Sequence, residues 1–254
     1  MSAALVTGAG KRIGRAIAER LGQAGFGVAV HYNSSAAGAL ETKASIEGAG
    51  GTATVIQADL SAPESAAALV ADARDALGPL DLLVNSASMF QADTLETVDP
   101  ASWGANLSVN ALAPLMATQA FAAQAPEGAA IINLLDVQLD RPSPNFMSYS
   151  ASKAALAAIT RMTALSLAPR IRVNAVAPGL VLRSGAQTEE TFLRRQAMTP
   201  LGEGLGPDDI AETVLFLARA RQITGETVSV DSGQSLLGFG NAPLGKDFGG
   251  KGDQ

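Results

Sequence analysis

The chain of 254 residues has no cysteine, one histidine and one tryptophan. The first absence excludes disulfides and thiolate chemistry. A lone histidine cannot build a zinc site or a serine–histidine pair of the usual kind, so no metal centre is expected. Aromatic residues make up only 4% of the chain, while glycine alone fills 26 positions. Small side chains favour close helix-on-sheet packing over an all-β fold. No run of Lys and Arg occurs and the net charge is −6. Nucleic acid is therefore not an expected partner, because its phosphates need clustered cations. No stretch approaches the ~20 apolar residues of a membrane span. The opening MSAALVTG lacks the charged and apolar regions of a secretion signal. These readings together predict a soluble, cytoplasmic protein.

What is present is an alternation. Short apolar, β-branched runs at residues 3–7, 28–32, 52–57, 80–84, 129–135, 171–176 and 227–230 read as strands. Between them lie helical patterns. Ile13, Ile17 and Leu21 recur on one face before a stop at Gly25. Further helices are expected at 36–48, from Pro63 and Glu64 to about 77, and at 103–124, 149–167 and 208–218. Strand–helix alternation through a chain of this length predicts one α/β domain over residues 1–237, a doubly wound parallel sheet with helices on both faces. No linker divides it. Residues 179–206 read as an irregular stretch suited to a binding lid, and 238–254 as a loosely ordered glycine-rich tail.

The segment TGAGKRIG, Thr7 to Gly14, falls between the first strand and the first helix. Backbone N–H groups at a helix N-terminus receive a pyrophosphate, and glycines let it approach. Gly8, Lys11, Arg12, Ile13 and Gly14 are thus cofactor-binding candidates. The alternative is an ordinary strand–helix turn. The second strand ends in HYNSSA, with no acid before Glu41. A carboxylate there would bind the ribose hydroxyl of NAD and repel a 2′-phosphate. Asn33, Ser34 and Ser35 instead offer donors, and Lys11 and Arg12 offer charge, so NADPH is the expected cofactor. A polar turn and helix cap is the plainer reading. Asp59 and Leu60, after the third strand, and Asn85, Ser86 and Ala87, after the fourth, lie at strand ends where open parallel sheets bind ligands.

Tyr149 and Lys153 form Tyr-x-x-x-Lys, one helical turn apart on one face. A lysine cation near a phenol lowers its pKa, so the pair suits proton transfer to a substrate. The glycine loop, NSAS, YSASK and APG (Ala177, Pro178, Gly179), in this order, resemble the short-chain dehydrogenase/reductase family from Leu5 to about Leu236. The resemblance implies a Rossmann-like single domain, a nicotinamide cofactor held also by Pro178 and Gly179, and a homotetramer. It maps catalytic roles onto Tyr149, Lys153 and Asn110.

Two positions depart from the common family pattern. Thirteen residues before the tyrosine, where most members carry serine, stands Asp136. An ionised aspartate cannot donate to a carbonyl oxygen, but it accepts from ring N–H groups or passes on a proton. The other departure is Arg12, in place of the loop's middle glycine. Both are similar to a branch of the family, the pteridine reductases and related dihydromonapterin/dihydrofolate reductases. That branch carries an NAS segment followed by a phenylalanine that stacks on the pterin, and NSASMF in this chain places Ser88 and Phe90 at those positions. Arg12, Ser88, Phe90, Asp136 and Tyr149 are the substrate-binding residues this implies. The implied reaction is hydride transfer from NADPH to a dihydropterin or dihydrofolate ring, with the proton passing through Asp136, Tyr149 and Lys153. Arg183, Arg194 and Arg195 either meet the glutamate tail of a folate or stand on a solvated charged helix. The alternatives are a 3-oxoacyl or other carbonyl/alcohol reductase and, in another class, a non-catalytic NADP-binding regulator.

Overall fold

The structure is a computed structural model and describes residues 2–140, 143–183, 187–202 and 204–237. The tail expected at 238–254 lies outside the described residues. Strands β1 (Ala3–Val6), β2 (Gly27–Tyr32), β3 (Thr52–Gln57), β4 (Leu82–Asn85), β5 (Ala129–Leu134), β6 (Ile171–Pro178) and β7 (Thr227–Val230) form one sheet. Its order is β3-β2-β1-β4-β5-β6-β7, with every neighbouring pair parallel. Parallel neighbours need crossovers, and helices supply them: α1 (Arg12–Gln23), α2 (Ala36–Gly48), α3 (Ser65–Leu77), α4 (Pro100–Leu107), α5 (Ala113–Gln124), α6 (Met147–Leu167), α7 (Glu189–Ala197) and α8 (Pro207–Arg219).

The pleat explains why strands with no polar face are stable here. In β1, Ala4 and Val6 point to one face and pack with Ile17 and Leu21 of α1, Ile46 of α2 and Val214 of α8. Ala3 and Leu5 point to the other and pack with Leu69 of α3, Phe121 of α5 and Ala164 of α6. Alternate side chains thus enter two separate cores. Each fully buried leucine or phenylalanine contributes about 1.5–3 kcal/mol. The strand order reverses at β1, whose neighbours are β2 and β4. Their crossovers leave on opposite faces, which opens a crevice beyond the carboxyl ends of β1 and β4.

Three expectations are corrected. β4 begins at Leu82 rather than at residue 80, because the amide of Leu80 is taken by Gln124 Oε1 at 3.3 Å. The helix expected from residue 103 starts at Pro100, capped by Asp99, and is interrupted by a π-turn at Ser108–Leu112. Pro114 has no N–H to offer the carbonyl one turn back, so the regular ladder cannot run through. The stretch 179–206 is not irregular throughout. Thr188 Oγ1 accepts the amide of Thr191 and starts α7, with Glu189 and Glu190 in its first turn and Arg194 and Arg195 in its last. Those charges complement the helix dipole.

Candidate active site

The crevice holds a cavity of about 760 Å³ lined from both sides of the strand reversal. At its floor the glycine loop turns from β1 into α1. Gly8 is left-handed at φ 67°, and a Cβ there would stand 2.9 Å from the Cα of Ala87. A Cβ on Gly14 would stand 2.3 Å from the carbonyl oxygen of Gly8, so only glycine lets α1 start this close to the loop. The N-terminus of α1 has no side-chain cap, and its first amides have no partner within the helix. Arg12, the first residue of α1, also has a positive φ of 56°. It holds by side chain a conformation that glycine adopts without strain: Arg12 Nη2 donates to the carbonyl of Arg183 at 2.9 Å. Thr7 laces the loop to the next strand, its Oγ1 accepting the amides of Ser86 and Ala87 at 2.9 Å each.

Gly8, Lys11, Arg12, Ile13 and Gly14 all line the cavity, as do Asn33, Ser34 and Ser35 at the end of β2 and Asp59 and Leu60 after β3. Asn33 Nδ2 donates to Asp59 Oδ1 at 3.1 Å. Glu41, the first acid after β2, is paired with Arg15 at 2.9 Å. His31 also lines the cavity and is absent from the sequence-derived set. Its Nδ1 accepts the amide of Gly8 at 3.0 Å and its Nε2 meets the carbonyl of Ala58 at 3.1 Å. A carbonyl only accepts, so Nε2 carries the proton. Burial pushes the pKa of His31 below its ordinary value, which keeps the ring neutral.

At the other end, α6 carries Tyr149 and Lys153 to the edge of β5. Tyr149 Oη donates to Asp136 Oδ2 at 2.7 Å. Asp136 Oδ1 accepts the amide of Gln138 at 2.8 Å, so the carboxylate is fixed by two donors. Lys153 Nζ donates to the carbonyl of Leu134 at 2.8 Å and stands 5.7 Å from the centre of the Tyr149 ring. Burial raises the pKa of Asp136 against the opposing pull of the Gln138 amide, the Tyr149 hydroxyl and Lys153. Burial lowers that of Lys153 to about 8. The expectation that Lys153 lowers the pKa of Tyr149 is corrected. The phenol is raised well above its usual value, first by burial and then by the charge and hydrogen bond of Asp136.

Phe90, 40% exposed, lines the same end. Its ring stacks on Phe146 with centroids 4.5 Å apart and stands at 88° to the ring of Tyr149 at 4.6 Å. Ser86, Ala87, Ser88, Pro178 and Gly179 complete the lining among the expected residues. Two expected residues do not line it. Asn85 is buried, its Nδ2 donating to Asn133 Oδ1 at 2.8 Å. Asn110, in the π-turn, spends its amide on Met89 and Ser152, accepting Met89 N at 2.8 Å and donating to Ser152 Oγ at 2.9 Å. It fixes the turn that carries Ser88 and Phe90. Of the three arginines weighed for a substrate tail, Arg195 of α7 lines the cavity, and Arg183 is paired with Glu189 at 2.9 Å. Asp93 is a buried residue without a sequence signal: its carboxylate accepts both the amide and the hydroxyl of Ser148 and so caps α6 next to Tyr149.

Residues 8–235 match a family model described as enoyl-(acyl carrier protein) reductase. A 3-oxoacyl-[acyl-carrier-protein] reductase, FabG of Staphylococcus aureus, is 34% identical over 240 residues, 92% of this chain and 98% of that protein. The chain belongs to the short-chain dehydrogenase/reductase family. It is an oxidoreductase. Two similar solved structures show the same fold with NADP bound. FolM alternative dihydrofolate reductase 1 from Brucella canis is 37% identical with a TM-score of 0.90, covering 96% of this chain and 97% of its own. The angucycline C-6 ketoreductase LanV is 37% identical with a TM-score of 0.86, covering 92% and 96%. Within the short-chain dehydrogenases/reductases the FolM likeness supports the pteridine reductase-like branch to which Arg12, Phe90 and Asp136 point. Among the described residues no cluster of His, Asp and Glu could hold a metal ion, and no helix is long and apolar enough to cross a membrane.

Proposed function

We propose that this protein is an NADPH-dependent reductase of a dihydropterin or dihydrofolate ring. One observation carries the reading: a half-buried carboxylate, Asp136, is hydrogen-bonded at 2.7 Å to the acid–base tyrosine, where a carbonyl reductase would present a hydroxyl. The cofactor fits the crevice. The uncapped N-terminus of α1 suits a pyrophosphate, the contacts around Gly8 and Gly14 leave a cradle that any Cβ would fill, and Lys11, Ser34 and Ser35 line the end where a 2′-phosphate would lie. When bound, NADPH supplies a hydride to a ring carbon. Tyr149 gives its hydroxyl proton to the adjacent ring nitrogen. Asp136 orients that hydroxyl by accepting its hydrogen bond, and a proton from solvent restores it. Lys153 offsets the negative charge left on the phenol. Arg12, Ser88 and Phe90 hold the flat, polar ring by its edge and face.

A carbonyl substrate is the second reading, and LanV and FabG favour it by their names and by identities of 37% and 34%. A panel of dihydrobiopterin, dihydromonapterin, dihydrofolate, an acetoacetyl ester and a polycyclic ketone, run with NADPH and NADH, separates the two. Turnover of a pterin or folate with NADPH is expected. Turnover of the carbonyls alone would replace the pterin reading, and NADPH binding without any turnover would favour a regulator. The homotetramer belongs to the same proposal. Leu112, Met162 and Leu165 stand 44%, 61% and 84% exposed on the helical surface, which suits burial between subunits. Light scattering on the purified chain reads the mass directly.

A further inference from the structure

We propose that His31 is a positioning residue for the cofactor: its neutral ring sets the glycine loop in the shape that receives the phosphates. The inference rests on the nucleotide reading of the crevice and is independent of which substrate is reduced. His31 lies on β2, yet it joins the ends of three strands. Its ring nitrogen Nδ1 accepts the amide of Gly8 after β1, and its Nε2–H donates to the carbonyl of Ala58 after β3. Its own carbonyl accepts the amide of Ala9 at 2.8 Å. Two consecutive loop amides are therefore committed to one residue. The donors left for an anion are those of the following turn, at the uncapped start of α1. The direction in which they point depends on how Gly8 enters the turn, and Gly8 is left-handed there and in contact with Ala87. A ring that only filled space would need neither nitrogen. This one is 2% exposed with both nitrogens bonded, and only the Nε2–H tautomer satisfies both contacts.

The two contacts can be removed one at a time. In His31→Asn the amide oxygen reaches the place of Nδ1, so the acceptor for Gly8 is kept and the donor to Ala58 is lost. In His31→Gln the amide nitrogen reaches the place of Nε2, so the donor is kept and the acceptor is lost. The Kd for NADPH, read from nicotinamide fluorescence without any substrate, is expected to rise at least about tenfold in His31→Gln and to stay within about threefold of the parent in His31→Asn. Turnover at saturating NADPH is expected to be retained in both. Equal loss of affinity in the two variants, or an unchanged Kd in His31→Gln, would overturn the proposal, as would lost turnover with unchanged affinity. Nitrogen-15 spectra of the untagged parent chain supply a measurement that needs no variant, because the chain has one histidine. A neutral ring protonated at Nε2 is expected at neutral pH, with and without NADPH. An imidazolium or the Nδ1–H tautomer would sink the idea. Since binding is read without substrate, failure here is distinct from failure of the pterin reading.

Discussion

Arg12 combines a strained backbone with the substrate-binding role proposed for it. At φ 56° it occupies the left-handed region, which costs a side-chain-bearing residue roughly 1–2 kcal/mol. Its bond to the carbonyl of Arg183 is exposed and returns less than that. Arg12→Gly is therefore expected to stabilise the protein by about 1 kcal/mol, a rise of roughly 2–4 °C in melting temperature. The same change is expected to weaken pterin turnover, because the planar cation at the cavity is gone. Melting curves and steady-state kinetics of the one variant check both halves; a lower melting temperature would show that the strain is more than offset. Asp136 tests the chemistry directly. Asp136→Ser keeps a small polar group beside Tyr149 but removes the carboxylate. Pterin reduction is expected to fall by roughly a hundredfold or more while the fold is retained. Undiminished reduction would refute the orienting role.

At the scale of elements, α6, which carries Tyr149 and Lys153, is held by a loop from another part of the chain. Asp93, buried among polar contacts, accepts the amide and hydroxyl of Ser148 at the start of α6. Asp93→Ala leaves those donors buried without a partner, which costs about 1–3 kcal/mol. Urea unfolding is expected to show that loss. kcat is expected to drop as well, because Tyr149 is the next residue, while the Kd for NADPH, bound mainly by other elements, stays close to the parent value. An unchanged kcat would confine Asp93 to stability. No spacing in the sequence announces this cap, since Asp93 and Ser148 are 55 residues apart. Elements whose signal is local fare better. α2, β3 and β7 run as their patterns predict, at Ala36–Gly48, Thr52–Gln57 and Thr227–Val230. α7 carries a local signal too, Thr188 followed by two acids and later two arginines, but its polar surface hides it among loop residues. The π-turn was legible only through Pro114, inside an apolar run that otherwise reads as continuous helix.

The candidate site is a property of the whole molecule. Its cavity is lined by the last residues of β2, β5 and β6 and by the segments that follow β1 to β6. Residue types and order along the chain were enough to name Tyr149, Lys153 and Asp136, because a motif survives in one dimension. The sign of the Tyr149 shift was not legible, because burial is set by everything packed around α6 and β5. That burial also shifts the titrating groups of the site. Lys153 is 3% exposed, and its pKa falls to about 8, with burial outweighing the attraction of Asp136. It is therefore protonated below about pH 8 and neutral above it. Tyr149 is shifted the other way and keeps its proton across this range. On the alkaline side the group that changes is the lysine cation, to which the proposed mechanism gives the role of stabilising the phenolate formed when the proton is given up. kcat/KM for NADPH, which reports the free enzyme, is expected to fall about tenfold per pH unit above the Lys153 pKa. Arginine stays charged throughout that range, so Lys153→Arg is expected to be slower yet to lose the alkaline limb. A pH profile from about pH 6 to about pH 10 on both proteins decides it: the same limb in the arginine variant would assign the titration to another group.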